Sequence, residues 1–406
     1  MIHYGKVPSP HAGSKKIGIG VDYGTSNTAA AIFDGQWVYL VKLEDKSHIM
    51  PTAVYIDREF GASVGQDAVS EYIVANQGRK VELSAEVLGE ARTTTGQIDH
   101  GSHLPTEANT SLVYGQSFQD SSMPGRLFRG VKRLLSSKDS ERIMVFDRPF
   151  RLVALVTPII LRVQECLFKT FNNIDLPESI EQKADHACIG HPVNFEGKGK
   201  THNNIALERL EEACGHAGIE YRNLFAEPNA AVMSYLMSRK DIQAKTILAI
   251  DFGGGTLDLC VLAEKEGAYE VIGTHGIGLG GDHIDQTLFR SLLFPLMGKG
   301  ERWQREVDGR HVDTQFPFDS FEDLIINWTV SYMLNQNEYL TPVRDMMTKG
   351  GEPAQKFERL YDLITQNYSY QVFQGLKESK EALSSQEQIL LDIPEINVSL
   401  TLTRQH

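Results

Sequence analysis

Apolar positions near the start of the chain come in short runs separated by polar turns. Ile17–Val21 reads as a strand, Asp22-Tyr23-Gly24-Thr25 as a turn and Ala29–Phe33 as a second strand, and Gly35 closes another turn before Trp37–Leu43. The spacing changes to three and four at Leu127, Phe128, Val131, Leu134 and Leu135, which predicts a helix over Leu127–Leu135. Further on, a strand over Ala184–Ile189 stops at His191-Pro192. Ile205–Ala217 is an amphipathic helix with Leu207, Leu210, Ala213, Cys214 and Ala217 inward and Gly218 as its C-cap. Tyr221–Phe225 is a strand, and Glu227-Pro228 opens a helix with proline at its first turn. Strands alternating with helices in this way predict an α/β fold.

At Thr246 the opening pattern returns. Ile247–Ile250 reads as a strand, Asp251-Phe252-Gly253-Gly254-Gly255-Thr256 as a turn and Leu257–Leu262 as a strand. Strand, Asp-aromatic-Gly, Thr, strand thus occurs twice, which predicts two related lobes with their loops facing one cleft. A third glycine cluster follows at Gly276–Gly281, and Phe289–Leu383 reads as mostly helical, with loops near 298–320 and 347–353. A stretch from Gly89 to Gly125, rich in Gly, Ser, Thr, Gln and Asp, reads as an irregular insertion.

Composition narrows the classes. With 406 residues, 41% of them hydrophobic, the chain can bury a large core in two or three lobes. A net charge of −13 with mixed signs argues against nucleic-acid and anionic-membrane partners. No apolar run reaches the ~18–20 residues of a membrane span; Leu152–Ile160 is short, carries Pro158 and reads as a buried helix start. The first residues form a loose tail without the apolar stretch of a signal peptide. Cys166, Cys188, Cys214 and Cys260 make no C-x-x-C pair, so a reducing, cytoplasmic setting is expected, with neither a disulfide framework nor zinc.

The paired loops carry the candidate chemistry. Successive backbone N–H groups in a glycine-rich hairpin can cradle phosphate oxygens, and glycine admits a close ligand approach. Asp22 and Asp251, each ending a leading strand, would repel those phosphates unless a cation such as Mg²⁺ lay between. The competing reading is two ordinary Asp-Gly hairpins, which the matched repeat disfavours. Gly199-Lys200-Thr201 is not a P-loop, because Asn194 stands where the earlier glycine is required. Gly276-x-Gly278-x-x-Gly281 matches the dinucleotide fingerprint but lacks the acidic strand end about twenty residues on, so it reads as a third loop of the same cleft. Lys132 and Lys380 lie among apolar residues at helical spacing and read equally well as snorkelling side chains. Glu227 reads equally well as a carboxylate favoured by a helix N-terminus.

Taken together, these residues resemble the ATPase domain of DnaK-type heat-shock chaperones, in the actin-like superfamily. Ile17–Asn27 looks like the family's first phosphate loop, and Ile247–Leu262, with Asp251–Asp258, like its second. Glu227-Pro228-Asn229-Ala230-Ala231 is similar to the family's Glu-Pro-Thr-Ala-Ala segment, and Val131–Leu134 falls where it has a catalytic lysine. Leu279-Gly280-Gly281-Asp282 and Lys380 with Ser384-Ser385 match later nucleotide contacts. The likeness runs from about residue 16 to the end and is nearest the YegD-like branch, which lacks the peptide-binding half.

The resemblance implies an actin-like ATPase fold, two lobes each with a mixed β-sheet flanked by helices and a nucleotide cleft between them. Lobe I would span 16–243, after a tail over 1–15, with its core in 16–53 and 153–243 and a subdomain in 54–152. Lobe II would span 244–406, with its core in 244–281 and a helical subdomain in 282–406. Gly24, Thr25, Ser26 and Asn27, with Gly253, Gly254, Gly255 and Thr256, would hold the β- and γ-phosphates of ATP or ADP. Asp22 and Asp251 would hold waters of Mg²⁺. Lys132 would contact the γ-phosphate and position the attacking water, assisted by Glu227, Asp251 and Thr256. Asp258, Gly280, Gly281, Lys377, Lys380 and Ser384 would complete the nucleotide contacts, and Pro192 would relay nucleotide state. Asn27 replaces a common family tyrosine, and Glu381 an adenine-stacking arginine. The chain ends at Thr403-Arg404-Gln405-His406, which the resemblance places inside the family's second lobe, before its late adenosine motif. The expected function is a slow ATP-hydrolysing, chaperone-related protein with protein clients or co-chaperones of unstated identity. A nucleotide switch with little hydrolysis, a small-molecule kinase and a filament-forming actin relative are the alternatives.

Overall fold

The structure, a computed structural model, describes residues 18–34, 37–94, 108–137, 142–172, 186–192, 195, 200–238, 244–254, 257–265, 268–277 and 279–405. The tail over 1–15, Ile17, Gly35, Ala184, Asn194, Gly199, Gly255, Thr256 and Gly278 lie outside the described residues.

The first half runs β1 (Gly18–Tyr23), β2 (Asn27–Phe33), β3 (Val38–Leu40), β4 (Ile49–Pro51), β5 (Ala53–Asp57), β6 (Ala62–Val64) and α1 (Gly65–Asn76). It continues through β7 (Leu83–Thr94), β8 (Ala108–Asp120), β9 (Gly125–Arg129), α2 (Val131–Leu134), β10 (Arg142–Val145), β11 (Arg148–Arg151) and α3 (Leu152–Phe171). Then come β12 (His186–His191), α4 (Lys200–His216), β13 (Tyr221–Ala226) and α5 (Glu227–Ser238). The second half runs β14 (Thr246–Phe252), β15 (Leu257–Lys265), β16 (Ala268–Ile277), α6 (Gly281–Leu288), β17 (Arg302–Val307), β18 (Arg310–Gln315) and α7 (Asp319–Ile326). It closes with α8 (Asn337–Thr348), α9 (Gly351–Thr365), α10 (Ser369–Ala382), β19 (Gln388–Ile393) and β20 (Val398–Thr403).

The opening strands form a mixed sheet in the order β13-β12-β1-β2-β3, with β4 also on β2. β1 is antiparallel to β2 and parallel to β12, and β12 is parallel to β13. Alternate residues of a strand share a face, so Ile19, Val21 and Tyr23 are buried together while Gly20 and Asp22 are not. The buried face joins α3 and α4 in one core, where Leu155, Val156, Leu210 and Cys214 are fully covered. In the second half β14, β15 and β16 make an antiparallel sheet. One face packs Cys260 and Leu262 against Val232 and Leu236 of α5, so that helix lies between the two sheets. On β14, the intervening Leu248, Ile250 and Phe252 are exposed. The helices after α6 enclose a separate aromatic core around Phe289, Phe294, Phe316, Phe321 and Phe357.

A third cluster joins the halves at the rim of the cleft. Tyr72 of α1 packs edge-on against Trp328, with ring centroids 5.8 Å apart, and Trp328 against Tyr370 at 4.8 Å. The Tyr72 hydroxyl donates to the Thr329 carbonyl at 2.7 Å, and the Asn335 amide donates to the Arg79 carbonyl at 2.7 Å.

Three expectations are corrected. Leu127 and Phe128 are not helical: they lie in β9, paired with Tyr55 and Val54 of β5, and the helix is confined to Val131–Leu134. Gly130 separates the two at φ +65°, in the left-handed region where a glycine halts a regular helix. The insertion over 89–125 is not irregular where described: β7 and β8 pair as an antiparallel hairpin, since even polar backbone must satisfy its hydrogen bonds. The loop near 298–320 contains the β17–β18 hairpin. No helix among the described residues is long and apolar enough to cross a membrane.

Candidate functional site

The two repeats fold alike. In the first hairpin the pairs Asp22↔Ala29 and Tyr23↔Thr28 close the ladder, and in the second Asp251↔Asp258 and Phe252↔Leu257 do so. Each carboxylate therefore stands on the next-to-last pair of its ladder, two positions before the first loop glycine, Gly24 or Gly253. In the first loop the Gly24 N–H donates to the Asn27 carbonyl at 3.0 Å, and a Cβ on Gly24 would lie 2.3 Å from that same oxygen. Only glycine fits there.

The loops face each other. A Cβ on Gly254 would lie 2.6 Å from the Ser26 hydroxyl, so the second hairpin meets the first with no room for a side chain. The third loop is bonded to the second: the Gly281 and Asp282 N–H groups donate to the carbonyls of Gly253 (3.0 Å) and Gly254 (2.8 Å). Thr25 and Ser26 are half-buried and Asn27 is exposed, while Gly280 is buried.

Beneath the loops lies a charged pair. The buried Lys132 ammonium donates to Glu227 Oε1 at 2.6 Å. Gly130 aims the short α2 so that Lys132 points inward, and Glu227 opens α5 directly after β13. Gly190 of β12 leaves the space the glutamate uses, because a Cβ there would lie 3.3 Å from Glu227 Cγ. A pair this secluded leaves an uncompensated charge if either partner is removed. Pro192 follows β12, and its carbonyl is 2.8 Å from His191 Nδ1.

The carboxylates crowd. Asp22 keeps solvent contact, yet burial among protein atoms, then the charge of Glu227, raises its pKa; Lys132 opposes this, and Asp251 adds to it. Asp251 is raised likewise by burial, then Glu227 and Asp258. Asp22 and Asp251 are thus the two groups able to hold a hydrated cation between the hairpins. A carboxyl with a raised native pKa binds its proton more firmly folded than unfolded, so its contribution to stability falls as pH rises through that native value. Asp22→Asn is therefore expected to raise the melting temperature at pH 7 without divalent ions, by a margin that shrinks as the pH is lowered. Scanning fluorimetry across pH checks it, and a lower melting temperature at pH 7 would contradict the crowding.

At the far side, Lys380 of α10 reaches Asp285 of α6 at 2.6 Å and the Gly281 carbonyl at 3.3 Å. Asp285 went unnoticed in the sequence; its pKa is raised by burial against the pull of Lys380 and the nearby Lys377. Its signal was the need of an inward-facing lysine for an acid partner. The Ser384 hydroxyl donates to the Glu381 carbonyl at 2.6 Å, on the exposed end of α10. The expected residues thus gather in two groups. Asp22, Lys132, Glu227, Asp251 and Asp258 lie near one another at the hairpins, and Lys377 and Lys380 lie on α10, where Lys380 reaches the third loop, with Ser384 just past the helix end. Gly255 and Thr256 lie outside the described residues.

Comparison with known proteins bears on this geometry. Residues 178–305 match the family model described as Hsp70 protein. The chaperone protein HscA homolog of Rickettsia bellii (strain RML369-C) is 25% identical over 275 residues, which is 67% of this chain and 37% of that protein. The corresponding HscA homolog of Rickettsia felis (strain ATCC VR-1525 / URRWXCal2) is 23% identical over 68% of this chain and 35% of its own length. The chaperone protein dnaK of Trieres chinensis is 30% identical over 181 residues, 42% of this chain and 28% of that protein. The matched part of the chain spans little more than a third of the length of the two HscA homologs and 28% of the dnaK. Together with the matched hairpins and the mixed sheet, these likenesses support a DnaK-type Hsp70 ATPase domain with the actin-like fold in this chain.

Proposed function

We propose that the chain holds magnesium–ATP between its two lobes and hydrolyses it slowly, as a chaperone-related nucleotide switch. The observation that carries this reading is the apposition of Gly254 and Ser26 of the two hairpins, whose aspartates Asp22 and Asp251 feel the charges of the Lys132–Glu227 pair. Backbone groups around Gly24–Asn27 and Gly253–Thr256 hold the β- and γ-phosphates. Lys132 lies against the γ-phosphate and orients the attacking water, and Glu227 fixes the ammonium in place. Asp251 and Thr256 assist, and Lys377, Lys380 and Ser384 lie on the adenosine side. Phosphoryl transfer asks mainly for such positioning and charge stabilisation.

Magnesium suits the donor set. Asp22 and Asp251 have pKa values raised first by burial and then by neighbouring acids, and a divalent ion would offset both. Among the described residues no cluster of three or more acidic, histidine or cysteine ligands exists. The ion would be held through few carboxylates, with the rest of its shell from water and phosphate, the usual habit of magnesium. When bound, it neutralises phosphate charge. The chaperone names of the relatives support a chaperone-related role; protein clients, co-chaperones and a cytoplasmic setting are part of the same proposal.

Calorimetric titration of the chain with Mg-ATP tests the reading, with GTP and metal-free ATP as controls. One ATP bound per chain, lost on chelation, is expected; no binding at millimolar ATP would overturn it.

A further inference from the structure

The mouth of the cleft carries a cation that the nucleotide contacts above leave out. Arg129 ends β9, three residues before Lys132, with its backbone paired to Ala53 of β5. Its guanidinium lies over the ring of Trp328, 5.0 Å from the centroid, so it reaches from the first half of the chain to the second. Among the described residues no carboxylate ion-pairs with it. Asp282 attracts it without bonding it, and the crowding that desolvates the group lowers its pKa from the ordinary arginine value. The residue nevertheless remains exposed.

Its neighbours border the phosphate loops on both sides. A Cβ on Gly130, next in sequence, would lie 3.9 Å from Thr25 Cγ2 of the first loop. Asp282, which faces the guanidinium, has Oδ1 at 3.6 Å from where a Cβ on Gly254 would be, and Gly254 is the residue set against Ser26. Arg129 therefore stands over the point where the two hairpins meet. The charges there are unequal: Asp22, Asp251, Asp258, Glu227 and Asp282 are acids, and Lys132 is already paired with Glu227. A triphosphate adds further negative charge, which calls for another cation. Arginine suits the position because it stays protonated when desolvated, stacks on an aromatic ring and offers a planar fork to phosphate oxygens.

We propose that Arg129 is a phosphate-binding residue of the cleft, its guanidinium held on Trp328 and bonded to the terminal phosphate of a bound nucleoside triphosphate. This rests on the nucleotide reading above and adds to it a residue that tells triphosphate from diphosphate. Because Arg129 is rooted in β9 and stacked on Trp328, the same contact draws the two sides of the cleft together.

The test is titration of the chain and of Arg129→Ala, Arg129→Lys and Trp328→Leu with Mg-ATP and with Mg-ADP, alongside their melting curves. Arg129→Ala is expected to weaken ATP about 10- to 100-fold, as for loss of a hydrogen bond between charged groups, and to leave ADP within about threefold. Arg129→Lys, which keeps the charge and loses the fork, is expected to fall between. It decides the matter should the alanine variant not fold. Trp328→Leu is expected to shift the ATP to ADP ratio in the same direction by freeing the guanidinium. Equal losses for both nucleotides, or none, would overturn the inference while leaving the nucleotide reading intact. An unmodified chain that binds neither nucleotide would overturn both.

Discussion

Replacing Lys132 with alanine is expected to slow single-turnover ATP hydrolysis by about 100- to 1,000-fold, the range for removing one group that stabilises developing charge. Binding should suffer far less, because the backbone cradle of the two hairpins remains. The reason lies in the burial of the ammonium and its 2.6 Å bond to Glu227, which fix its position before a nucleotide arrives. Preorganised charge of this kind needs no rearrangement during the reaction, which makes it effective. Lys132→Arg is not expected to rescue the rate, since the bulkier planar group cannot occupy a space shaped for a compact ammonium. Rapid-quench measurement with labelled ATP gives the answer directly. An unchanged single-turnover rate in a variant that still binds ATP would remove Lys132 from the chemistry.

Phe357→Ala is expected to destabilise the helical part of the second half by about 3–5 kcal/mol, the usual range for emptying a buried aromatic site. Phe357 is fully buried, with its ring centroid 4.6 Å from that of Phe316. A Cβ on Gly298, held at φ +97°, would lie 2.6 Å from its ring. The neighbours are thus fitted to the ring, and few could move to fill the void. The core around Ile19, Val21 and Leu155 shares no residue with the core around Phe357. Hydrogen exchange should accordingly lose protection in 289–402 and keep it in 18–219. Equal loss in both would mean that the two cores unfold as one.

The hairpins were legible because the repeated unit is local: a strand, an aspartate, an aromatic residue and a glycine at fixed offsets leave one way to fold. Helices such as α4 were legible because their apolar period is long and unbroken. Lys132 was read as helical and lies in α2, but that helix was begun too early. The apolar spacing from Leu127 to Leu135 fits a helix, and only the left-handed Gly130 divides it into β9 and α2. The β7–β8 hairpin was hidden by its polar composition, which resembles that of loops. Asp285 under Lys380 and Trp328 under Arg129 could not be read at all. Each joins residues roughly one hundred or two hundred positions apart, and no spacing rule spans such a distance.

The rim joint of Tyr72, Trp328 and Tyr370 is in large part a meeting of ring surfaces, with a few hydrogen bonds at its edge. Association of apolar surface near room temperature is driven by water entropy and weakens on cooling. Ion pairs such as Lys132–Glu227 do not share that dependence. In the cold, then, the joint loosens while the floor of the cleft stays set, and with warming it grips harder. The two sides of the cleft are therefore expected to be held together more firmly in the warm than in the cold.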